Sequence, residues 1–327
     1  MRKFGFLAGL LVVALVAAPA FAGPIVIKFS HVVAVNTPKG QAAEYFKKLV
    51  EERSNGQIKV EVYPNSSLFN DKDVMTPLMT NAVQMAAPSF AKFTKFAPSL
   101  QLVDLPFLFN DTDHLHRVLE GPVGEKMLDA VGKKGLVGLA FWDNGFKEMS
   151  ANKPLIKPED CAGLKFRIMS SKVLEAQFQA LDANPQVLPF SEVYSALQQG
   201  VVDGAENPLS NFYTKKMFEV QSDLIMTNHG YIGYLVVTNK IFWNSLNDQQ
   251  RALIKQAMKE STTYGNKLAQ QMDQTYLQKV KDSGKTTVHT LTPAQRAVWK
   301  TKLLTIYPQF YDVIGKNLIE EAIAAGQ

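Results

Sequence analysis

Two residues with anion-binding chemistry follow neighbouring strand-like stretches near the middle of the chain. In KFRIM, Phe166 and Ile168 alternate with Arg167, so a half-buried strand would carry the arginine on its opposite face, near its end. Asn207 follows the stretch VVDGA, 40 residues after Arg167. A guanidinium can hold a carboxylate through two parallel hydrogen bonds, and an asparagine amide can donate another to it. These residue types predict a carboxylate site.

The elements around these two residues predict parallel β-α-β units. A serine cap at Ser170 or Ser171 precedes a helix with one apolar stripe, and then comes the short strand QVLP. A second helix follows and Gly200 ends it. In open α/β sheets, ligands collect beyond the carboxyl ends of the strands, where helix N-termini favour anions. We therefore expect Arg167 and Asn207 to share one ligand-binding edge.

Three segments, GLKFRIMSS, ANPQVLPFSEVYSALQQGVVDGAENPLSNFY and NHGYIGYLVVTNKIFW, resemble the signature of the extracytoplasmic solute receptors of TRAP transporters, the DctP-type family. The resemblance extends from about Val26 to the last helix. It implies a two-domain α/β fold of the periplasmic-binding-protein kind, each domain a mixed sheet flanked by helices, with a long helix bracing both. It also implies that Arg167 and Asn207 bind the carboxylate of a small organic acid, and that domain closure delivers this ligand to a membrane permease.

Further site residues are implied by the same resemblance. His31 and Lys39 would line the ligand cleft, as in the dicarboxylate branch of the family. Lys147 matches the family's second cationic position, 20 residues before Arg167. That position is often arginine, and lysine lacks the planar fork, so this contact should be less geometrically selective.

Three more residues are expected at or near the cleft. The end of the buried stretch VQMAA brings Ser89 to the ligand-binding edge. The predicted strand 135–142 delivers the segment DNGFKEMS, which contains Asn144, to the same edge. Tyr231 can reach the ligand, although an aromatic residue next to glycine more often serves packing.

The length of 327 residues predicts two domains. Because no Pro/Gly-rich linker separates two halves, we expect strands to cross between interleaved domains. Domain one would comprise 23–144 and 231–268, and domain two 145–230 and 269–327. A capping box at Asn247 begins an uninterrupted helical pattern that ends at Asp282, long enough at roughly 50 Å to brace both domains.

The first 22 residues have the pattern of a secretory signal peptide. Arg2 and Lys3 precede an apolar run, and Ala20-Phe21-Ala22 fits a cleavage site before Gly23. A membrane anchor is the alternative, but the run is too short. The remaining 33 basic and 30 acidic residues are mixed along the chain, without the basic cluster of a nucleic-acid site. We expect a periplasmic protein.

The sequence offers no catalytic or metal-binding pattern. G-x-S-x-G, H-E-x-x-H, the Walker phosphate loop and G-x-G-x-x-G do not occur. Asp203 and Glu206 flank the ENP segment, and strand-end solvation and turn capping are their expected roles. His114 and His116 are two apart on a predicted helix and point to different faces. With Cys161 as the single cysteine, we predict a protein that is not an enzyme and has neither a metal nor a cofactor.

The segment FWDNGFKEMSANKPL is most similar to receptors for four-carbon dicarboxylates, which bind succinate, malate and fumarate. The alternatives are a monocarboxylate such as a 2-oxo acid or a sugar acid, presentation of the ligand to a sensor kinase, and a secreted enzyme that uses the same cleft. A monomer is expected.

Overall fold

The computed structural model describes residues 23–327, so the predicted signal peptide lies outside the described residues. Its strands are β1 (Ile25–Ser30), β2 (Ile58–Tyr63), β3 (Met85–Ala86), β4 (Leu136–Ala151), β5 (Lys165–Ile168), β6 (Asn184–Val187), β7 (Gly204–Asn207), β8 (Asp223–Asn239) and β9 (Thr287–Thr290).

The α-helices are α1 (Pro38–Arg53), α2 (Met75–Met79), α3 (Thr112–Leu119), α4 (Pro122–Gly132), α5 (Lys172–Ala180), α6 (Val193–Gln198), α7 (Leu209–Thr214), α8 (Lys240–Ser245), α9 (Asp248–Asp282), α10 (Pro293–Leu304) and α11 (Lys316–Ala324). Within this part of the chain, none of the helices combines the length and the hydrophobicity of a membrane span.

The strands form one mixed sheet in the order β2-β1-β3-β8-β4-β7-β5-β6, with β9 beside β8. Strand β5 is parallel to both β6 and β7, which confirms the predicted parallel units. The sheets predicted for the two domains are joined because β4 and β8, of 16 and 17 residues, pair along both halves of the molecule.

Strand β4 differs from its prediction. The sequence suggested that the strand ends at Trp142 and that DNGFKEMS follows as an edge segment, whereas β4 continues to Ala151. Antiparallel β8 pairs with it past this point, for example at Phe146 and Tyr231, and thereby satisfies its backbone groups. The pairing shifts register at Asp143/Gly145 and at Lys147/Met149, so two irregularities interrupt the ladder where it crosses the molecule.

Alternation in β5 sets the direction of the arginine, as predicted. Phe166 is buried and stacks on Phe178 of α5, with 4.8 Å between the ring centroids. Because neighbouring side chains in a strand point to opposite faces, Arg167 faces away from this packed pair.

Helix α9 is the predicted brace between the two halves. Asn247 and Gln250 form the capping box at its start. On one side α9 packs against α1, where Gly265 permits the close approach because a Cβ there would lie 2.7 Å from that of Ala42. On the other side it packs against α7, next to the strand that carries Asn207.

The C-terminal segment 308–325 is not one continuous helix. A 3-10 turn and a π-turn precede α11, and Gly315, at a φ of 100°, interrupts the helical backbone. Helix α11 packs on α3 and α4, with 2.7 Å between His114 Nε2 and the Ala322 carbonyl oxygen and 2.6 Å between Lys126 and Glu321. The end of the chain therefore packs on α3 and α4, which the predicted boundaries place in domain one, whereas they place residues 308–327 in domain two.

Candidate functional site

A small cavity lies beyond the carboxyl ends of β5 and β7. It is between the two parts of the chain predicted as domain one and domain two, which are called the first half and the second half below. The space between its lining atoms, including the part open to solvent, is about 340 Å³. Both halves of the chain line it, chiefly through Asp71, Ser89, Arg167, Phe190, Asn207 and Tyr234. Of the predicted ligand-binding residues, Arg167, Asn207 and Ser89 line this space.

Arg167 is fixed in place by the protein and still has donors to spare. Its Nε and Nη2 donate to the Leu188 carbonyl oxygen at 3.0 and 2.9 Å. Among residues 23–327, Nη1 has no hydrogen-bond partner, so the end of the guanidinium keeps a free edge. Burial lowers the pKa of Arg167, and the charges of Asp71 and Glu206 oppose this shift. The result is a preorganised cation with only 2% of its surface exposed.

Asn207, the last residue of β7, makes only weak contacts within the protein. Its amide nitrogen lies 3.6 Å from the Met217 sulfur, and its oxygen accepts from Asn211 at 3.5 Å. A thioether sulfur is a weak acceptor, and 3.5 Å is long for an N–H···O hydrogen bond. The amide therefore retains hydrogen-bonding capacity towards a molecule in the cavity.

The predicted residues of the first half have different environments. Ser89 lines the cavity, and its Oγ donates to the sulfur of Met169 across the cleft at 3.3 Å. His31 lies in a smaller adjoining cavity that shares Val32 and Asp71 with the first. Both of its ring nitrogens are buried, and neither has a hydrogen-bond partner in the described part of the chain. Burial, with a contribution from the charge of Lys39, lowers the pKa of His31 to about 3, so the imidazole is neutral at physiological pH.

Lys39 stands behind the walls of these two cavities. Its Nζ donates to the Ala87 carbonyl oxygen at 3.0 Å and lies 3.4 Å from the centroid of the Tyr234 ring. Ala87 lines the smaller cavity and Tyr234 the larger one. Burial lowers the pKa of Lys39 to about 7 against the opposing charge of Asp71. A change of charge nearby can therefore shift its protonation at physiological pH.

Lys147 is placed away from the cavity, in a buried ionic cluster. Its Nζ lies 2.6 Å from Glu206 Oε1, and the other oxygen of this carboxylate contacts His229 at 2.7 Å. Gly230 makes room for the lysine, because a Cβ there would lie 2.5 Å from Lys147 Cε. Burial acts to raise the pKa of Glu206, but Lys147 and His229 lower it to about 2.

The solvated turn-capping role expected for Glu206 is therefore wrong. The residue lies within β7, and all four residues of this strand, Glu206 included, are buried. The charge of Lys147 is balanced there, one residue before Asn207. Asp203, in contrast, accepts a hydrogen bond from the backbone of Lys165 at 2.8 Å and supports the start of β5.

Asn144 contacts residues of the cavity, whereas Tyr231 lies elsewhere. The Asn144 amide donates to the hydroxyl of Tyr234 at 2.6 Å and to Asn211 Oδ1 at 3.1 Å, so it orients two residues that line the cavity. Tyr231 donates to Asp143 at 2.7 Å and lines a separate pocket beside α9. This position agrees with the packing role considered for it.

Sequence reasoning missed an ion pair at the cavity. The Lys92 Nζ lies 3.3 Å from Asp71 Oδ2, and the side chains are only 6% and 7% exposed. Asp71 Oδ1 also accepts from the Phe190 backbone N–H across the cleft at 3.4 Å. Asp71 follows Asn70 in a loop between β2 and α2 that has no local periodicity, so no sequence signal separates it from the neighbouring Asp73.

The described residues contain no group of three or more His, Cys, Asp and Glu side chains that could hold a metal. His114 and His116 have separate partners, the Ala322 carbonyl oxygen and the Asp143 carboxylate. Cys161 is buried, and burial raises the pKa of its thiol to about 12. A thiol in that state is a poor nucleophile.

Comparison with known proteins gives concordant matches. Residues 29–313 match the family described as bacterial extracellular solute-binding protein, family 7. The C4-dicarboxylate-binding periplasmic protein DctP of Rhodobacter capsulatus is 50% identical over 326 residues, which cover 99% of this chain and 98% of that protein.

Two solved structures are similar throughout. A TRAP periplasmic solute binding protein from Sulfurospirillum deleyianum with bound succinate has a TM-score of 0.91 and 55% identity, covering 93% of this chain and 99% of its own. Another, from Pseudomonas aeruginosa with bound L-malate, has a TM-score of 0.86 and 41% identity, covering 88% and 100%.

These matches include both strands that carry Arg167 and Asn207. They also confirm the predicted two-domain α/β fold. The family consists of solute receptors of TRAP transporters and not of enzymes. The chain belongs to family 7 of the bacterial extracellular solute-binding proteins.

Proposed function

We propose that this protein is a periplasmic receptor that binds a four-carbon dicarboxylate such as succinate, malate or fumarate and delivers it to a TRAP membrane permease. The free edge of the Arg167 guanidinium in the cavity carries this proposal. Its position is fixed by the Leu188 carbonyl, and the weakly engaged amide of Asn207 lines the same cavity. One carboxylate of the ligand binds Arg167 and Asn207.

The second carboxylate of the ligand faces the first half of the chain. Cations are available there on Lys92 and on Lys39, while Ser89 offers a hydroxyl group and His31 a neutral ring. Lys147 is paired with Glu206, so in this proposal it supports β7 and is not the distal cation. With a monocarboxylate bound, Asp71 alone would face the two cations Lys92 and Lys39 among the described residues, and this surplus of positive charge favours the diacid.

Closure of two domains around the ligand is part of the proposal. The contact from Ser89 to Met169 and that from Asp71 to Phe190 link the two halves at the cavity. We propose that the hinge lies at the irregular pairing of β4 with β8, next to the predicted boundaries at 144 and 231. Domain two then comprises 145–230 and 269–304, and the last residues pack on domain one. The signal peptide would be removed before Gly23 and the mature receptor would be a monomer.

Isothermal titration calorimetry tests the ligand. The wild-type protein should bind at least one of succinate, malate and fumarate, and Arg167→Ala should weaken that binding by about 100-fold or more, since a buried charged pair is lost. Arg53→Ala is the matched control because it removes a cation from the α1 surface, far from the cavity. Absence of heat with all three diacids would rule out the proposed substrate, and stronger binding of lactate or galactonate would favour a monocarboxylate.

A further inference from the structure

The cavity has a carboxylate of its own. Among the described residues that line the cavity beyond β5 and β7, Asp71 is the one acidic residue. It also lines the smaller adjoining cavity that contains His31. One of its oxygens pairs with Lys92 at 3.3 Å, and the other accepts a long hydrogen bond from the Phe190 backbone N–H at 3.4 Å. A fixed negative charge therefore lies between the two spaces in a receptor whose proposed ligand is an anion.

Three cations surround this carboxylate. Lys92 pairs with it directly. Arg167 lies near Phe190, with 6.0 Å from Cζ to the ring centroid, and Phe190 is the residue whose backbone Asp71 binds. Lys39 donates to Ala87, which lines the smaller cavity together with Asp71.

The electrostatic influence of Asp71 agrees with this arrangement. Burial lowers the pKa of each of the three cations, and in each case the charge of Asp71 opposes that effect. The same carboxylate thus helps to keep Arg167, Lys92 and Lys39 charged. It acts on cations from both halves of the cleft.

We propose that Asp71 is a specificity-determining residue, the internal counter-ion that sets the charge of ligand this cavity accepts. With both lysines protonated, three cations and one carboxylate leave two positive charges, which match a dianion. Without Asp71 the site would carry three at a pH well below 7, where Lys39 as well as Lys92 keeps its proton. A fixed carboxylate also repels any further ligand carboxylate, which is selection by an unfavourable interaction. The inference rests on the proposed function because it assumes an anionic ligand.

Succinate and succinamate are suitable probes because they have nearly the same shape and differ by one negative charge. The quantity to measure is the ratio of the succinamate Kd to the succinate Kd. Asp71→Asn keeps the size of the side chain, and its amide oxygen can still accept from the Phe190 N–H. We expect the ratio to rise by about tenfold in this variant, since a nearby like charge has been removed. Tricarballylate, a trianion, should gain affinity in the same variant.

Asp73→Asn is the matched control. Asp73 lies in the same loop and its substitution changes the net charge equally, but the side chain is exposed and bonds only Asn70 in the described structure. Its ratio should stay within about twofold of the wild-type value, because exposed charges are strongly screened. A ratio for Asp71→Asn that remains within the same limits would overturn the proposal.

Lys92→Gln provides a test of opposite sign. It removes one positive charge and leaves Asp71 in place, so the ratio should fall by about tenfold. If circular dichroism shows that Asp71→Asn is unfolded, Lys92→Gln decides alone, and an unchanged or higher ratio refutes the proposal.

The outcomes separate this inference from the proposed function. A wild-type protein that binds succinate, with ratios that do not change, would remove the counter-ion role alone. A wild-type protein that prefers succinamate would contradict the dicarboxylate function, while the shifts between variants would still test Asp71. A wild-type protein that binds none of the three acids, and neither malate nor fumarate, would overturn both.

Discussion

The two walls of the cavity hold their charged groups in opposite ways. On the wall from the second half, Arg167 is anchored by a backbone carbonyl, and within residues 23–327 its free edge meets no carboxylate at hydrogen-bond distance. On the wall from the first half, Lys92 is paired with Asp71, while Lys39 is held by the Ala87 carbonyl and the Tyr234 ring. The second-half wall with Arg167 can bind an anion as it stands, and we call it the rigid wall. The first-half wall with Lys92, Lys39 and Asp71 must change its own contacts to bind one, and we call it the adaptable wall.

This difference indicates a division of roles. A rigid guanidinium fork provides orientation and most of the affinity. Cations with partners of their own respond to the charge of the ligand, and so they provide selectivity. A ligand carboxylate should therefore bind in the same way at Arg167 in all substrates, while differences between substrates are expressed at the first-half wall.

The largest expected effect concerns the support behind the rigid wall. Glu206→Gln would leave Lys147 buried without its counter-charge, which should lower the free energy of unfolding by about 3 to 5 kcal/mol. Chemical denaturation measures this loss. Glu320→Gln is the control: it breaks an exposed pair with Lys316, for which less than about 1 kcal/mol is expected. Equal losses in both variants would show that the buried cluster does not support this wall.

Exchange of arginine and lysine on each wall tests whether the two walls bind the ligand differently. Arg167→Lys keeps the charge but removes the fork, and we expect affinity for the diacid to fall by about 30-fold, or roughly 2 kcal/mol. Lys92→Arg, on the adaptable wall, should change affinity by less than about threefold. Calorimetric titration of both variants with the same diacid gives the two values. A larger loss for Lys92→Arg would reverse the proposed roles of the walls.

The pH dependence of binding tests the protonation of Lys39 on the first-half wall. The pKa of Lys39 is lowered by burial to about 7, and its neighbours are Asp71, neutral His31 and the Tyr234 ring. A bound dianion favours the charged ammonium and raises this pKa, so binding takes up a proton. Affinity should be fully present below pH of about 7 and fall by up to about tenfold as pH rises through the pKa of the complex.

Calorimetry in two buffers with different ionisation enthalpies measures this proton uptake. Lys39→Met should abolish it. Proton uptake that persists in Lys39→Met would assign the titration to another group.

The smallest effect is expected outside both walls. Tyr231→Phe removes one hydrogen bond to Asp143 and should cost about 1 kcal/mol of stability. Because Tyr231 lines a pocket separate from the ligand cavity, affinity for the diacid should change by less than about twofold. Thermal unfolding and calorimetry give the two numbers, and a tenfold loss of affinity would place Tyr231 in the binding site after all.

The sequence predicted the rigid wall better than the adaptable one, for a physical reason. Arg167 and Asn207 follow short strands whose alternation and helix caps are local signals, and the capping box at Asn247 likewise marked the start of α9. The pairing of Lys147 with Glu206 joins residues 59 apart. No local pattern encodes a contact of that kind, and it was the family resemblance that led to the prediction of Lys147 as a cation of the cleft.

Tertiary pairing also explains the other differences. Strand β4 extends beyond Trp142 because β8, distant in sequence, continues the ladder. Asp71 lies in a loop, and only the folded chain brings it to Phe190, 119 residues away. Both features depend on contacts between segments that are far apart in the sequence.

A crystal structure of the complex with succinate would show how each wall binds the ligand. One carboxylate should lie on the free edge of Arg167 and accept a hydrogen bond from Asn207. The other carboxylate should lie at the first-half wall near Lys92 and Asp71, with Lys147 still paired to Glu206. A second carboxylate bound by Lys147, or a ligand that does not contact Arg167, would contradict the division between a rigid and an adaptable wall.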